Sequence, residues 1–169
     1  MTAAQYSRGQ VVLADFPFTE RPHERGPRQH FCLVIDTVES QEERLIAICY
    51  GTSRLDDDLL AAHGGGVLSI PRAFMKIRSG FMDEVVGHFV LDHVALVPES
   101  WLDPRFSARL DFMREEARKN DPIRERLFKA FVACEPVMQM AALQAALHTQ
   151  ETGRIGLPPG KTIRTKTTR

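Results

Sequence analysis

Apolar residues in the first hundred positions come in short runs, not in long stripes. Val11 to Phe16 is one run, closed by Pro17; Phe31 to Thr37 is a second; Leu45 to Tyr50 is a third and stops at Gly51. Each has strand length, is rich in β-branched and aromatic residues, and is bounded by turn formers, so each predicts a β-strand. Val67 to Ile70, stopped by Pro71, predicts a weaker strand, and Val94 to Val97, stopped by Pro98, a later one. Val85 to Leu91 fits a helix or a strand. Short strands in close succession, with no long helical pattern between them, predict an antiparallel barrel or curled sheet.

Beyond Trp101 the period changes. Asp103 before Pro104 reads as a helix start, and Phe106, Leu110, Met113 and Ala117 follow at helical spacing. Asp121–Pro122 repeats the start signal, ahead of a stripe of Ile123, Leu127, Phe131 and Cys134. Pro136 is expected to end or kink that helix. Val137, Met140, Ala141, Gln144 and Leu147 then predict a further helix. The expectation is a helical hairpin packed on the β region or on a partner subunit. The stretch from Gly153 holds Arg154, Lys161, Arg164, Lys166 and Arg169, no acids and little to bury, and predicts disorder. The chain therefore divides into a β domain (1–103), a helical extension (104–150) and a basic tail (151–169), of α+β class.

Two loops interrupt the β region. Thr19 to Gln29 is polar, carries Pro22, Gly26 and Pro27, and is long for a hairpin connection, which marks it as a functional candidate. Asp56 to Gly66 opens with three acids and closes with three glycines, which predicts mobility.

Composition narrows the class. The 169 residues are 43% hydrophobic and 26% charged, with a formal net charge of zero, so attraction for phosphate must be local. The three cysteines, Cys32, Cys49 and Cys134, are an odd number, and the first two lie in apolar runs. That predicts reduced thiols in a cytoplasmic protein, not a disulfide framework. The first residues show no apolar stretch of signal-peptide length, and no uninterrupted apolar run is long enough to span a bilayer; no membrane contact is expected.

Candidate chemistry gathers around the second and third strands. Arg28 and His30 precede one, Thr52 and Ser53 follow the other, and Glu24 is nearby in the Thr19–Gln29 loop. If the two strands pair antiparallel, the start of one lies beside the end of the other and these groups meet. A guanidinium fork beside a hydroxyl-bearing turn can hold a phosphate and stabilise charge that builds on it. A histidine or carboxylate there supplies acid or base chemistry. Equally, Arg and His in a loop are often only solvated, and Thr-Ser after a strand is often a turn. Other groupings are weaker. On a regular strand His88 and Asp92 share a face and His93 takes the other, so they do not converge on a metal. Asp56 to Asp58 with His63 read as a solvated loop, and Gly64 to Gly66 lacks the partners of a phosphate loop.

The order of these segments resembles the MazF/PemK family of toxin endoribonucleases. Arg8-Gly9, Asp15-Phe16, Leu33-Val34-Ile35 and Thr52-Ser53 fall in the family's sequence, and Asp92 in "FVLDHVALVP" matches the acid of its last strand, with His93 in place of Gln. The likeness covers residues 7 to 100. It implies an SH3-like antiparallel β-barrel, a homodimer, an antitoxin protein that binds the same groove, and cofactor-free, metal-independent cleavage of single-stranded RNA (mRNA) by attack of the 2′-hydroxyl. On this likeness Arg28 stabilises charge, Thr52 holds the phosphate with Ser53 assisting, His30 is the alternative acid or base and Glu24 a loop partner. Arg25, Arg54, Lys76 and Arg78 would contact RNA. Two departures stand out: Gln10 replaces the usual acid after Arg8-Gly9, and the Arg-Pro pair is missing, with His30 in the arginine register and Arg28 two residues ahead. The alternative is a non-catalytic relative that uses the groove for a protein or nucleic acid.

Overall fold

The structure, a computed structural model, describes residues 6–54, 56–58, 61, 66–75 and 86–159. Six strands form one antiparallel sheet: β1 (Gln10–Ala14), β2 (His30–Glu39), β3 (Arg44–Thr52), β4 (Val67–Pro71), β5 (Val86–Pro98) and β6 (Leu102–Arg109). Their order is β4-β5-β3-β2-β1-β6. The α+β class holds, but the sheet is not closed into a barrel, since β4 and β6 form its two edges and do not pair. Residues 86–91 of the ambiguous segment and the Val94–Val97 strand are parts of the same long strand, β5; Val85 lies outside the described residues.

Both faces of the sheet are buried, which is why the strands read as nearly unbroken apolar runs. Leu33, Ile35, Ala47, Cys49, Leu91 and Leu96 form one cluster with Phe112, Phe131, Met138 and Ala145 from the helical region. Cys32, Val34, Ile46, Ile48, Ala95 and Val97 form the other, beneath Tyr6, Phe16 and Leu157. At about 25 cal/mol per Å2 of apolar surface removed from water, two such layers dominate the stability.

Three helical expectations are corrected. Asp103–Pro104 starts no helix; it lies in β6. Proline is tolerated there because β6 is an edge strand, with one side free of the hydrogen-bond ladder. Phe106, read as part of a helical stripe, packs edge-on against Phe31, ring centroids 5.4 Å apart. After a short helix α1 (Glu115–Arg118), a single helix α2 (Pro122–Thr152) replaces the expected hairpin. Its start is as read: Asp121 Oδ1 accepts from the backbone N–H of Ile123 and of Arg124, both at 3.1 Å, with Pro122 in the first turn. The helix continues through Pro136, which is exposed, so the carbonyl it leaves unpaired lies on the solvent side. Gly153, at φ 69°, caps the other end.

The expectation of disorder from Gly153 fails for its first residues. Gly156 pairs with β5 at the edge that β4 leaves open: Leu96 N–H donates to Gly156 O at 3.0 Å and Gly156 N–H to Leu96 O at 2.7 Å. Leu157 is buried and donates its N–H to Pro22 O at 2.8 Å, so this strap ties the Thr19–Gln29 loop to the sheet. Lys161, Arg164, Lys166 and Arg169 lie outside the described residues, as does most of Asp56–Gly66.

Candidate functional site

The pairing of β2 with β3 assembles the site. Cys32 faces Tyr50 and Leu33 faces Cys49, so the antiparallel ladder carries the start of β2 alongside the end of β3. Gly51 makes this approach possible. A Cβ there would lie 1.9 Å from Phe31 O and 3.1 Å from the Phe89 ring, so only glycine fits. The result is a cleft of about 430 Å3 lined by Arg28, Gln29, His30, Phe31, Tyr50, Gly51, Thr52, Ser53 and Arg54, closed below by Met75, Gly87 and Phe89. Five sequence candidates, Arg28, His30, Thr52, Ser53 and Arg54, thus meet.

The cleft is locally cationic in a chain of zero net charge. Among the described residues two arginines line it and no carboxylate does. Neither Arg28 nor Arg54 is ion-paired among the described residues. His30 is half-buried, and its Nε2 is enclosed without a hydrogen-bond partner among the described residues. Burial, and then the Arg28 guanidinium, hold its pKa below the ordinary 6.5, against a smaller opposing pull from Asp15. The imidazole is therefore neutral at pH 7, able to take a proton. Thr52 Oγ1 accepts the Arg54 N–H at 3.1 Å and so fixes the turn that carries Ser53.

Tyr50 was not among the sequence candidates, although strand alternation puts it on the same face as Thr52. Its ring lies 5.1 Å from His30 and 5.7 Å from His93, and burial pushes its phenol above the ordinary tyrosine range. His88 faces Thr52 across the β3–β5 pair and shares a 2.7 Å hydrogen bond with Ser69 Oγ. The bulge in β5, where Cys49 faces Val94 but Tyr50 faces Val90, breaks the alternation expected for a regular strand. His88 and His93 consequently lie toward the same face, opposite to the sequence expectation.

The remaining candidates lie elsewhere. Glu24 and Arg25 border a separate hollow of about 230 Å3 with Phe18, Arg21, Gly26 and Pro27. Glu24 pairs with Arg21 at 3.5 Å, and Arg25 with Asp15 at 2.6 Å. Lys76 and Arg78 lie outside the described residues.

A larger cavity, about 590 Å3, has walls of Thr19, Pro22, His23, Asp92, His93, Gln144, His148 and the strap residues Leu157 to Pro159. His23 and His148 stack with centroids 5.5 Å apart, and His23 Nδ1 hydrogen-bonds Ile155 O at 2.7 Å. The packed rings of Phe16, Tyr50 and His93 form a wall between this cavity and the cleft. No spacing rule unites residues so distant in the chain. Among the described residues no group of three or more His, Cys, Asp or Glu is placed to hold a metal ion. Compared with protein-family models and with curated proteins, the chain finds no match in either.

Proposed function

We propose that the cleft binds the phosphodiester of single-stranded RNA and cleaves it through the neighbouring 2′-hydroxyl. The observation that carries this reading is the convergence of Arg28, His30, Thr52 and Arg54 in a cleft that no carboxylate lines among the described residues. Neutral His30 takes the 2′-hydroxyl proton as the oxygen attacks phosphorus. Arg28 and Arg54 meet the charge growing on the non-bridging oxygens, where a fork donor is most effective. The bond to the 5′-oxygen breaks, that oxygen takes back, directly or through water, the proton that His30 accepted, and the products are a 2′,3′-cyclic phosphate and a 5′-hydroxyl end. Ser53, exposed at the rim, adds a donor to the phosphate.

This reading agrees with the MazF/PemK resemblance, including its SH3-like ancestry, its role as the cytoplasmic toxin of a toxin–antitoxin pair, and an antitoxin protein that occupies the same cleft. Incubation of the full chain with single-stranded RNA of mixed sequence in the presence of a chelator tests it. The expected result is fragments ending in cyclic phosphate, formed about 10²–10³-fold more slowly by Arg28→Ala. Intact RNA at every context sinks it.

One observation favours a second reading, a module that binds without cutting. The Thr52 hydroxyl is already engaged by the Arg54 N–H. Salt-sensitive RNA retention without fragments, weakened by Arg28→Ala and Arg54→Ala, identifies that case.

A further inference from the structure

The helix α2 is apolar on two opposite sides. The inner side packs on the sheet through Phe131, Met138, Ala141, Ala142 and Ala145. On the outer side Val132, Val137, Met140, Leu143 and Leu147 are exposed, from 43% at Val132 to 56% at Met140. At 3.6 residues per turn these five lie on one stripe centred on Met140, diametrically away from the docked side. A surface helix ordinarily turns its charged residues outward here. Between Lys129 and Glu151 the only charged side chain is Glu135, and Arg8 pairs with it at 3.0 Å. A contiguous apolar face of this kind marks a contact surface.

We propose that this stripe is where two copies of the chain meet, their helices antiparallel across a two-fold axis at Met140. In that arrangement residues equidistant from Met140 face each other. Val137 meets Leu143 of the partner subunit, and small Ala133 meets Leu147 of the partner subunit. At the two ends Lys129 meets Glu151 of the partner subunit, so the only charges flanking the stripe are complementary. A parallel pair would set Lys129 against its own copy. Among the described residues Lys129 is held in this chain only by Glu125, at 3.8 Å between well-exposed groups, a contact weak enough to be exchanged. An isologous contact of this type is the commonest way a chain covers such a face. The helix is also long and apolar enough to cross a bilayer, but 28% of its apolar window is buried, docked on the sheet. The pairing stands apart from the cleft, and its test needs no RNA.

The test uses the full chain in a Cys134→Ser background, which leaves only the buried Cys32 and Cys49. Light scattering after gel filtration is expected to give the mass of two chains. Met140→Lys is expected to give the mass of one, with an unchanged circular dichroism spectrum, because the site is on the surface. Met140→Cys, on the axis, is expected to form an intermolecular disulfide on oxidation, whereas Val132→Cys, equally apolar but off the axis, does not. Lys129→Glu is expected to weaken the dimer about tenfold, and Lys129→Glu with Glu151→Lys to restore it. The proposal is overturned by a single-chain mass for the wild type at high micromolar concentration. A two-chain mass that survives Met140→Lys also overturns it, as does flotation of the wild type with phosphatidylcholine vesicles in place of a dimer.

Discussion

The two larger cavities share a wall of three rings and are built on opposite plans. The cleft draws nearly all its polar groups from two short stretches, residues 28 to 31 and 50 to 54, joined by one strand pair. Among the described residues it holds two arginines and no acid. The histidine-lined cavity takes its groups from the Thr19–Gln29 loop, β5, α2 and the strap, and it includes a carboxylate, Asp92. In the first, a fixed ladder holds two arginines with no ion pair among the described residues, as anion chemistry requires. In the second, the polar groups are spent on fastening: His23 and Leu157 tie loop and strap together. Chemistry and attachment are thus separated by the thickness of a ring cluster.

The glycines at the two sites offer the most severe way to break that comparison. A Cβ at Gly51 would lie 1.9 Å from Phe31 O, and one at Gly156 equally 1.9 Å from Pro22 O. Gly51→Ala must part β2 from β3 or twist both; it is expected to abolish RNA cleavage and to cost about 2–4 kcal/mol in urea unfolding. Gly156→Ala, at φ 103°, is also strained, and it should detach the strap. Its expected outcome is faster proteolysis after Thr152 with cleavage retained. Equal loss of cleavage in both variants would show that the cavities act as one site.

Side-chain removal makes a gentler version. Arg28→Ala is expected to lower the cleavage rate about 10²–10³-fold, the usual effect of deleting one donor to a developing oxyanion. His148→Ala, in the other cavity, should leave that rate within about twofold while lowering the melting temperature through loss of the stack on His23. Single-turnover rates on one defined RNA measure both. A larger loss in His148→Ala than in Arg28→Ala would move the chemistry across the wall.

The same contrast explains what was legible in the sequence. Strand pairing is local information: apolar runs, Gly51 and the turn residues were enough to bring Arg28, His30, Thr52 and Ser53 together. The cavity of His23, His93 and His148 depends on the strap and on the β5 bulge, and neither leaves a period in the chain. The basic composition beyond Gly153 hid the two backbone bonds that Gly156 makes with Leu96. Asp103–Pro104 carries the same helix-start chemistry as Asp121–Pro122, but Leu102 on one side of it and Ser107 to Arg109 on the other pair with β1, and this tertiary pairing overrode the local preference. Glu24 and Arg25 misled because loop residues next to Arg28 in sequence were drawn off by Arg21 and Asp15.

The smallest expected effect concerns pH and sharpens the role of His30. Its pKa is depressed in the folded chain because burial and the Arg28 guanidinium disfavour the imidazolium. The unfolded chain, with an ordinary value near 6.5, therefore binds the proton in a window where the folded chain does not. Stability from this group is complete above 6.5 and declines as pH falls through the folded value; below it both states are protonated and the slope ends. Burial lowers the His88 pKa as well, with the same sign. The melting temperature of the wild type should accordingly fall as pH is lowered below 6.5, and His30→Gln should flatten that fall without abolishing it. Cleavage should weaken over the same acid range as the base is protonated. Arg28→Lys keeps a positive charge near the ring, so its stability profile should follow the wild type, whereas Arg28→Ala should move the cleavage limb toward higher pH by removing the repulsion. A limb that stays in place in Arg28→Ala would mean that burial alone sets His30 and that the arginine acts on the phosphate only.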